Sequence, residues 1–328
     1  MKIFSFPYLV IDELVKQMEP VELVSLSLCS KTAHAVVKAF AKIKYDLKIR
    51  KSQFRDRYGL VFRERQQIVI WAALEKELNR ETWELETHRG FKLRIEDKRK
   101  LCTYWKDVVY GCQEVTKYVC DLFNAPVSII EISNERDVRI LDFVSQRQEQ
   151  QLKLVRTSNT YITAEGLSGI LRCTATKTLE VFSMRPPGYR FDGNLPPVKN
   201  LLITHAFWIT REQLLSVKSR NVRLRGTYLT MTNVSELLGC WLRGGLPNLR
   251  FLELNMSMVR FHSKGPRVRI ETVSEEISYT WKRDEEAVKF QSPHSLHIRI
   301  DDKVVATIKC DGSYFTMVVW PDSNGNRA

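Results

Sequence analysis

Apolar and polar positions alternate with two different periods along the chain. Near the start, apolar side chains recur three and four positions apart, as at Val10 and Leu14, which is the period of an amphipathic helix. A second such run begins at Pro20, a residue favoured in the first helical turn, and a third follows Ser30. We predict three short helices here. A segment of about forty residues cannot easily bury so much apolar surface alone, so it either docks on a partner or packs on the rest of the chain.

The following part of the chain is basic and has a different period. Residues 42–65 hold nine basic and three acidic side chains. Tyr45, Leu47 and Ile49 alternate with polar neighbours, which predicts a half-buried strand with its basic side chains in water. From Glu75 to Lys100 the sequence is charged and weakly patterned, and we expect a helix or loops.

From Thr103 onward, the pattern indicates helices and apolar strands in alternation. A helix is predicted from Tyr104 to Phe123. Strand centres then follow at intervals of 25, 27, 21, 22 and 28 residues, at Ile129, Leu154, Val181, Leu202, Leu224 and Leu252. Leucine-rich repeats have a period of about 20–29 residues. A doubly wound α/β domain has similar crossover lengths. We favour an irregular repeat because the steps are short and Leu249, Leu252 and Leu254 form an LxxLxL motif.

After Pro266 the helical pattern stops. Runs such as "SLHIRIDD", "KVVATIKC" and "YFTMVVW" alternate apolar and polar residues, and "DD" and "DG" between them are hairpin signals. The predicted fold class is therefore α+β or α/β, with a small antiparallel sheet that caps the repeats or docks on them. The predicted parts are a helical segment (1–42), a basic strand with a charged connection (43–102), the repeat-like β/α region (103–260) and a β-rich cap (261–328).

The charge and the cysteine content limit the possible binding partners and the cellular compartment. The net charge is +13, and the first forty residues contribute nothing to it, with four basic and four acidic side chains. Such a balance fits an acidic protein, nucleic acid or an acidic membrane surface, or only a Lys- and Arg-rich surface. Seven cysteines without a CxxC pair indicate a reducing compartment, cytosol or nucleus. Pro7 and the charges after it argue against a signal peptide, and the apolar run Ile68–Leu74 is too short to cross a bilayer.

The sequence carries no recognisable catalytic motif. GxSxG, GxxxxGK[ST], GxGxxG and HExxH are all absent. His294 and His297 lie near Cys310 in sequence, but a zinc site wants four ligands at defined spacing, so no metal is predicted. We expect neither a cofactor nor an enzyme.

The helical segment resembles the F-box. A proline near the start, an apolar helix, a second proline thirteen residues later, "VEL", and a Leu/Ser helix ending in Ser-Lys carry the resemblance. Ala33 stands where many F-boxes have a tryptophan. The remainder is similar to the type 2 F-box-associated domain common in nematode F-box proteins, in "KYVCDLFNAPVSIIEIS", in "ITHAFWITREQLLSV" and in the run from "LTMTNVSELLGC" to "LRFLELNM".

The resemblance implies a substrate receptor of a Skp–cullin–F-box ubiquitin ligase. The F-box would be a separable unit that docks on the Skp-family adaptor, which binds the cullin, and the C-terminal domain would hold a target protein. The residues implied in adaptor binding, about half of which we expect in the intramolecular core, are Phe6, Pro7, Val10, Ile11, Leu14, Val15, Met18, Pro20, Leu23 and Leu26. The basic excess suggests an acidic target, with candidate contacts at Arg156, Arg223, Arg225, Arg250 and Arg269.

Two other hypotheses remain open from the sequence. The first is a repeat-domain interaction protein that works without a ligase, motivated by Ala33. The second is a nucleic-acid-binding protein, motivated by the net charge and by residues 42–65. We rank the second last, because the aromatic side chains have core spacing and do not interleave with the basic ones.

Overall fold

The computed structural model forms two compact units, Met1–Ser158 and Asn159–Ala328. The residues it describes are 7–41, 46–52, 55–62, 68–77, 85–86, 91–97, 100–158, 160–184, 186–256, 269–273, 276–279, 288–291, 295–300, 303–311 and 313–321. Four residues of the sequence predictions lie outside these ranges. They are Phe6, a predicted adaptor contact, and Asp301, Asp302 and Gly312 of the predicted hairpin turns.

The first unit opens with the three predicted helices, which the structure confirms. They are α1 (Tyr8–Gln17), α2 (Pro20–Cys29) and α3 (Lys31–Phe40). Pro20 occupies the first turn of α2, where its missing N–H costs nothing. Ser30 separates α2 from α3 and caps α3, because its Oγ accepts a hydrogen bond from the Ala33 N–H at 3.1 Å.

A mixed sheet with two helices completes the first unit. The strands are β1 (Leu47–Lys51), β2 (Tyr58–Phe62), β3 (Ile68–Leu74), β4 (Leu85–Glu86), β5 (Lys92–Asp97), β6 (Lys100–Trp105), β7 (Val127–Ile132) and β8 (Leu154–Thr157), and the helices are α4 (Val108–Phe123) and α5 (Val138–Arg147). The spatial order of the strands is β8-β7-β1-β2-β3-β6-β5-β4. The pairs β1–β7, β7–β8 and β3–β6 are parallel.

Two sequence predictions in this unit are wrong. The stretch Glu75–Lys100 contains strands β4 and β5 where a helix or loops were expected, since β5 pairs with β6 and buries Leu93 despite its charged neighbours. Helix α4 begins at Val108, four residues later than predicted. Tyr104 belongs to β6, opposite Ala73 of β3, and Asp107 caps the helix by accepting the Val109 N–H at 2.8 Å.

The second unit is built on parallel strands in chain order. These strands are β9 (Thr178–Val181), β10 (Asn200–Ile203), β11 (Asn221–Leu224) and β12 (Phe251–Asn255), and the helices are α6 (Ala164–Arg172), α7 (Arg211–Leu215) and α8 (Met231–Leu242). Each strand pairs in parallel with the next. A doubly wound sheet would reverse this order, so the sequential order confirms the repeat-like prediction.

Antiparallel strands extend the same sheet beyond β12. The strands are β13 (Arg269–Thr272), β14 (Ile277–Tyr279), β15 (Val288–Phe290), β16 (Ser295–Ile300), β17 (Lys303–Asp311) and β18 (Tyr314–Val319). The spatial order is β12-β18-β17-β16-β13, while β14 and β15 form a separate pair. The C-terminal strands therefore cap the last repeat by direct pairing, from Phe251 opposite Val318 to Asn255 opposite Tyr314. The hairpin β14–β15 packs Tyr279 and Phe290 against Phe251.

Candidate functional site

Helix α1 has one buried and one exposed apolar side. Ile11 and Val15 are 8% and 5% exposed and belong to the buried core. Leu9, Val10 and Leu14 are 74%, 43% and 45% exposed. These three side chains share an arc of about 140° on the helix, because successive residues are about 100° apart. We call Leu9, Val10 and Leu14 the α1 apolar face.

Nine of the ten predicted adaptor contacts lie in the described residues, and they divide into three groups. The exposed ones are Pro7, Val10 and Leu14. The half-buried ones are Met18 and Leu26. The buried ones, which are core side chains of the first unit, are Ile11, Val15, Pro20 and Leu23. The structure therefore brings Val10 and Leu14 together on the surface and places about half of the set in the interior, as expected.

Sequence reasoning missed the two most exposed apolar side chains of α1, Tyr8 and Leu9. Tyr8 is 70% exposed, and its ring lies 4.6 Å from that of Phe40 on α3. Leu9 adjoins Val10 on the exposed side. A signal was available for Leu9, which lies two residues before Ile11 and six before Val15 and therefore falls outside the i, i+3 and i, i+4 row of these buried residues.

Helices α2 and α3 are anchored on the rest of the first unit. Helix α2 contacts β3 and β6, and α3 contacts α4. Tyr118 of α4 joins both helices, because its hydroxyl lies 2.7 Å from Ser27 Oγ and 3.1 Å from His34 Nδ1. Ser27 is fully buried. The expectation of a separable docking unit is therefore wrong, since only the exposed side of the helical segment stands apart from the core.

Ala33, at the position of the usual tryptophan, is buried. It is 1% exposed and lies in the first turn of α3. It does not belong to the α1 apolar face, so the missing indole leaves that face unchanged.

Replacing Ala33 with tryptophan is expected to destabilise the protein. An indole at a position that holds one buried methyl group overpacks the interior, which costs about 1–3 kcal/mol. Thermal unfolding followed by circular dichroism would measure this. Thr32→Trp on the exposed side of the same turn is the matched control and should change the melting temperature little. A melting temperature for Ala33→Trp at or above that of the wild type would show that the site has room for the indole.

Arg223, one of the predicted target contacts, lies in a buried ion pair. Its side chain is 6% exposed, and its Nε lies 3.0 Å from Glu253 Oε1, which is itself 9% exposed. The guanidinium also lies over the Phe251 ring at 5.7 Å from its centroid. The charge of Arg223 is thus compensated inside the second unit.

The other four predicted target contacts lie in different surroundings. Arg225 is half exposed, with its Nε 3.3 Å from Glu253 Oε1. Arg250 is half-buried, and its Nη1 donates to the Pro247 and Leu249 carbonyls. Arg156 is half-buried on β8 of the first unit, opposite Glu131. Arg269 begins β13, and its side chain lies outside the described part. Among the four arginines whose side chains are described, the structure brings only Arg223 and Arg225 together, at Glu253.

The second unit also exposes apolar side chains at the carboxyl edge of its parallel strands. The exposed large apolar side chains in the described part of this unit are Tyr161, Met184, Tyr228 and Tyr314. Tyr161 forms a bridge with Met184 just beyond β9, and Tyr314 pairs with Asn255 at the end of β12. The Tyr228 ring packs 5.0 Å from that of Phe207. We call these four residues the carboxyl-edge patch.

Acidic neighbours compensate three of the nine basic side chains at 42–65. Lys48 pairs with Glu131 at 2.6 Å, Lys51 with Asp56 at 2.9 Å, and Arg57 with Glu77 at 2.7 Å. These pairs leave less free positive charge for a nucleic acid than the sequence count suggests.

Over the described ranges, no three His, Cys, Asp or Glu side chains come together as a metal site requires. None of the helices in these ranges combines the length and the apolar composition that a membrane-spanning helix requires.

Comparisons with known proteins agree with the two parts of the sequence resemblance. Residues 3–44, which contain α1 to α3, match the family model of the F-box domain. Residues 194–254, which contain β10, β11 and most of β12, match the family model described as F-box associated. The Skn-1 dependent zygotic transcript 15 protein of Caenorhabditis elegans is 24% identical over 278 residues, covering 78% of this chain and 79% of that protein. No solved structure matches the chain.

Proposed function

Because the chain carries an F-box at its N-terminus and an F-box-associated domain in its C-terminal half, we propose that it is the substrate receptor of a Skp–cullin–F-box ubiquitin ligase. These two domains indicate an adaptor protein of such ligases, and proteins that carry them are generally not catalysts. In the proposal, the α1 apolar face binds the Skp-family adaptor, the adaptor binds the cullin, and the second unit holds the target protein in the cytosol or nucleus.

The exposed apolar face of α1 is the observation that carries the proposal. The rest of the helical segment packs on the first unit, so Leu9, Val10 and Leu14 are not needed for its core. Full burial of an exposed leucine contributes about 1.5–3 kcal/mol, so Leu9 would approach this range in a partner's groove, and the half-covered Val10 and Leu14 would contribute less. A few such anchors commonly supply most of the binding energy of an interface.

The anchoring of α2 and α3 supports the same proposal in a second way. Tyr118 fixes Ser27 and His34, so α3, which packs against α1, is held on the body of the first unit. A preorganised docking face loses less conformational entropy on binding than a mobile helix would.

Recruitment of the cullin tests the proposed role. The full chain would be immobilised and exposed to the cullin alone, to the adaptor alone, and to both together. We expect cullin to be retained only when the adaptor is present, because the chain contacts the cullin through it. Adaptor retention without cullin retention would favour an interaction module that works outside the ligase. Direct cullin retention without adaptor would contradict the proposed arrangement.

A further inference from the structure

A row of basic side chains lies at the amino edge of the parallel strands in the second unit. Lys177, Lys199, Arg220 and Arg250 each stand immediately before the first residue of a strand, namely β9, β10, β11 and β12. Lys177 and Lys199 are exposed, and Arg220 and Arg250 are half-buried. We call these four residues the basic row.

The pairing of the strands places the four residues in register. The first residues of β9 and β10 pair with each other, as do those of β10 with β11 and β11 with β12. The backbone pairing continues into the row, because the Lys177 carbonyl accepts the Asn200 N–H at 3.0 Å and the Lys199 carbonyl accepts the Asn221 N–H at 3.0 Å. Adjacent strands are about 4.8 Å apart, so the row extends over about 14 Å.

A polar ladder directly behind the row fixes this register. Asn200 Nδ2 donates to Thr178 Oγ1 at 3.0 Å, and Asn221 Nδ2 donates to Asn200 Oδ1 at 2.7 Å. Asn221 is 2% exposed, so sliding of β11 against β10 would leave buried amides without partners. The spacing of the basic side chains is therefore set by the fold.

The charges of the row are not compensated within the described part of the chain. Lys177, Lys199 and Arg220 make no ion pair there, and Arg250 donates to two neutral carbonyls. By contrast, Arg223 in β11 and Arg225, which directly follows β11, both pair with Glu253 of β12. Like charges on adjacent strands repel, which makes an uncompensated row unfavourable until an anionic partner binds.

The chemistry of the row favours a protein partner over a nucleic acid. Exposed aromatic side chains, on which bases would stack, lie at the opposite edge, at Tyr161, Tyr228 and Tyr314. Behind the row are Thr178, Asn200 and Asn221, which offer no stacking surface. A length of about 14 Å matches about four residues of an extended peptide.

We propose that the basic row binds an acidic segment of the target protein, through the carboxylates or phosphoryl groups of four or so consecutive residues. This assignment rests on the proposed role of the chain as a substrate receptor. It defines the class of target as a protein with an extended, negatively charged segment. It also defines the face that the segment occupies, the amino edge of β9 to β12.

Fluorescence anisotropy with the full chain and a labelled oligo-glutamate peptide tests the assignment. We expect the peptide to bind and its oligo-glutamine counterpart not to bind. The double variant Lys177→Glu/Lys199→Glu should weaken binding by at least about tenfold. A phosphoserine-containing peptide of equal length distinguishes the two sources of negative charge by its relative affinity.

Two matched variants show whether the effect is local. Lys106→Glu/Lys117→Glu makes the same change in net charge at exposed lysines of the first unit, and Tyr161→Ser/Tyr228→Ser alters the carboxyl-edge patch. Both should change peptide affinity less than about twofold. Circular dichroism would confirm that all three variants fold.

Three outcomes would overturn the assignment. The first is that the wild-type chain does not bind oligo-glutamate. The second is that the two charge variants lose the same amount of peptide affinity. The third is that a single-stranded oligonucleotide binds more tightly than the peptide at the same salt concentration. Adaptor binding measured on Lys177→Glu/Lys199→Glu should stay unchanged. If the peptide does not bind the basic row but the adaptor still binds the chain, only the basic-row assignment is refuted. The two proposals can therefore fail separately.

Discussion

Replacing Leu9 and Leu14 with aspartate is expected to abolish binding of the chain to a Skp-family adaptor while leaving the fold intact. Leu9 is 74% and Leu14 45% exposed, and neither belongs to the buried core, so we expect the fold to tolerate the change. Two carboxylates would have to be buried without partners in an apolar groove, which costs several kcal/mol. We expect affinity to fall by at least about a hundredfold in isothermal titration calorimetry.

The control for this variant introduces the same charges at exposed apolar residues elsewhere. Tyr110 and Tyr161 are 54% and 60% exposed, and Tyr110→Asp/Tyr161→Asp should bind the adaptor as the wild type does. Equal binding by the wild type and a folded Leu9→Asp/Leu14→Asp variant would show that the α1 apolar face is not the docking surface.

Replacing Glu253 with methionine is expected to lower the free energy of unfolding by about 3–5 kcal/mol. Arg223 would then lose the Glu253 carboxylate, which lies 3.0 Å from its Nε, and an arginine guanidinium keeps its charge when it is buried. Arg225 loses the same partner, but its half-exposed side chain remains hydrated. Urea unfolding monitored by intrinsic fluorescence would measure the change.

The double variant Arg223→Met/Glu253→Met separates the ion pair from the packing. Removing both charges from a buried site is often neutral or stabilising, so we expect it to recover most of the loss seen in Glu253→Met. A double variant as unstable as the single one would mean that Glu253 acts through contacts other than Arg223.

Because Arg223 is buried, we expect the double variant to bind the oligo-glutamate peptide as the wild type does.

Elements that depend on the short-range spacing of apolar residues could be predicted from the sequence. Residues Tyr8–Phe40 form three helices because apolar positions recur at helical spacing and Pro20 and Ser30 mark the starts. The strands predicted around Val181, Leu202 and Leu224 are short apolar runs between polar turns, and each forms a strand, although Val181 and Leu224 are the last residues of their strands and only Leu202 lies inside one. Their regular spacing also identified the sequential, parallel arrangement.

Features decided by tertiary contacts could not be predicted in this way. Strand β5 is charged, and it is a strand because it pairs with β6. The anchoring of α2 and α3 depends on Tyr118, which is 91 residues from Ser27 along the chain. The burial of Arg223 and the alignment of the basic row both follow from strand register, which a single sequence does not display. For the same reason, periodicity alone did not distinguish buried from exposed apolar residues on α1.

Titration of the purified chain with the purified adaptor in a calorimeter measures directly whether this F-box docks on a Skp-family adaptor. We expect a one-to-one complex with a dissociation constant below about 1 μM, which corresponds to about −8 kcal/mol or better. Absence of binding by a chain that circular dichroism shows to be folded would rule out this docking.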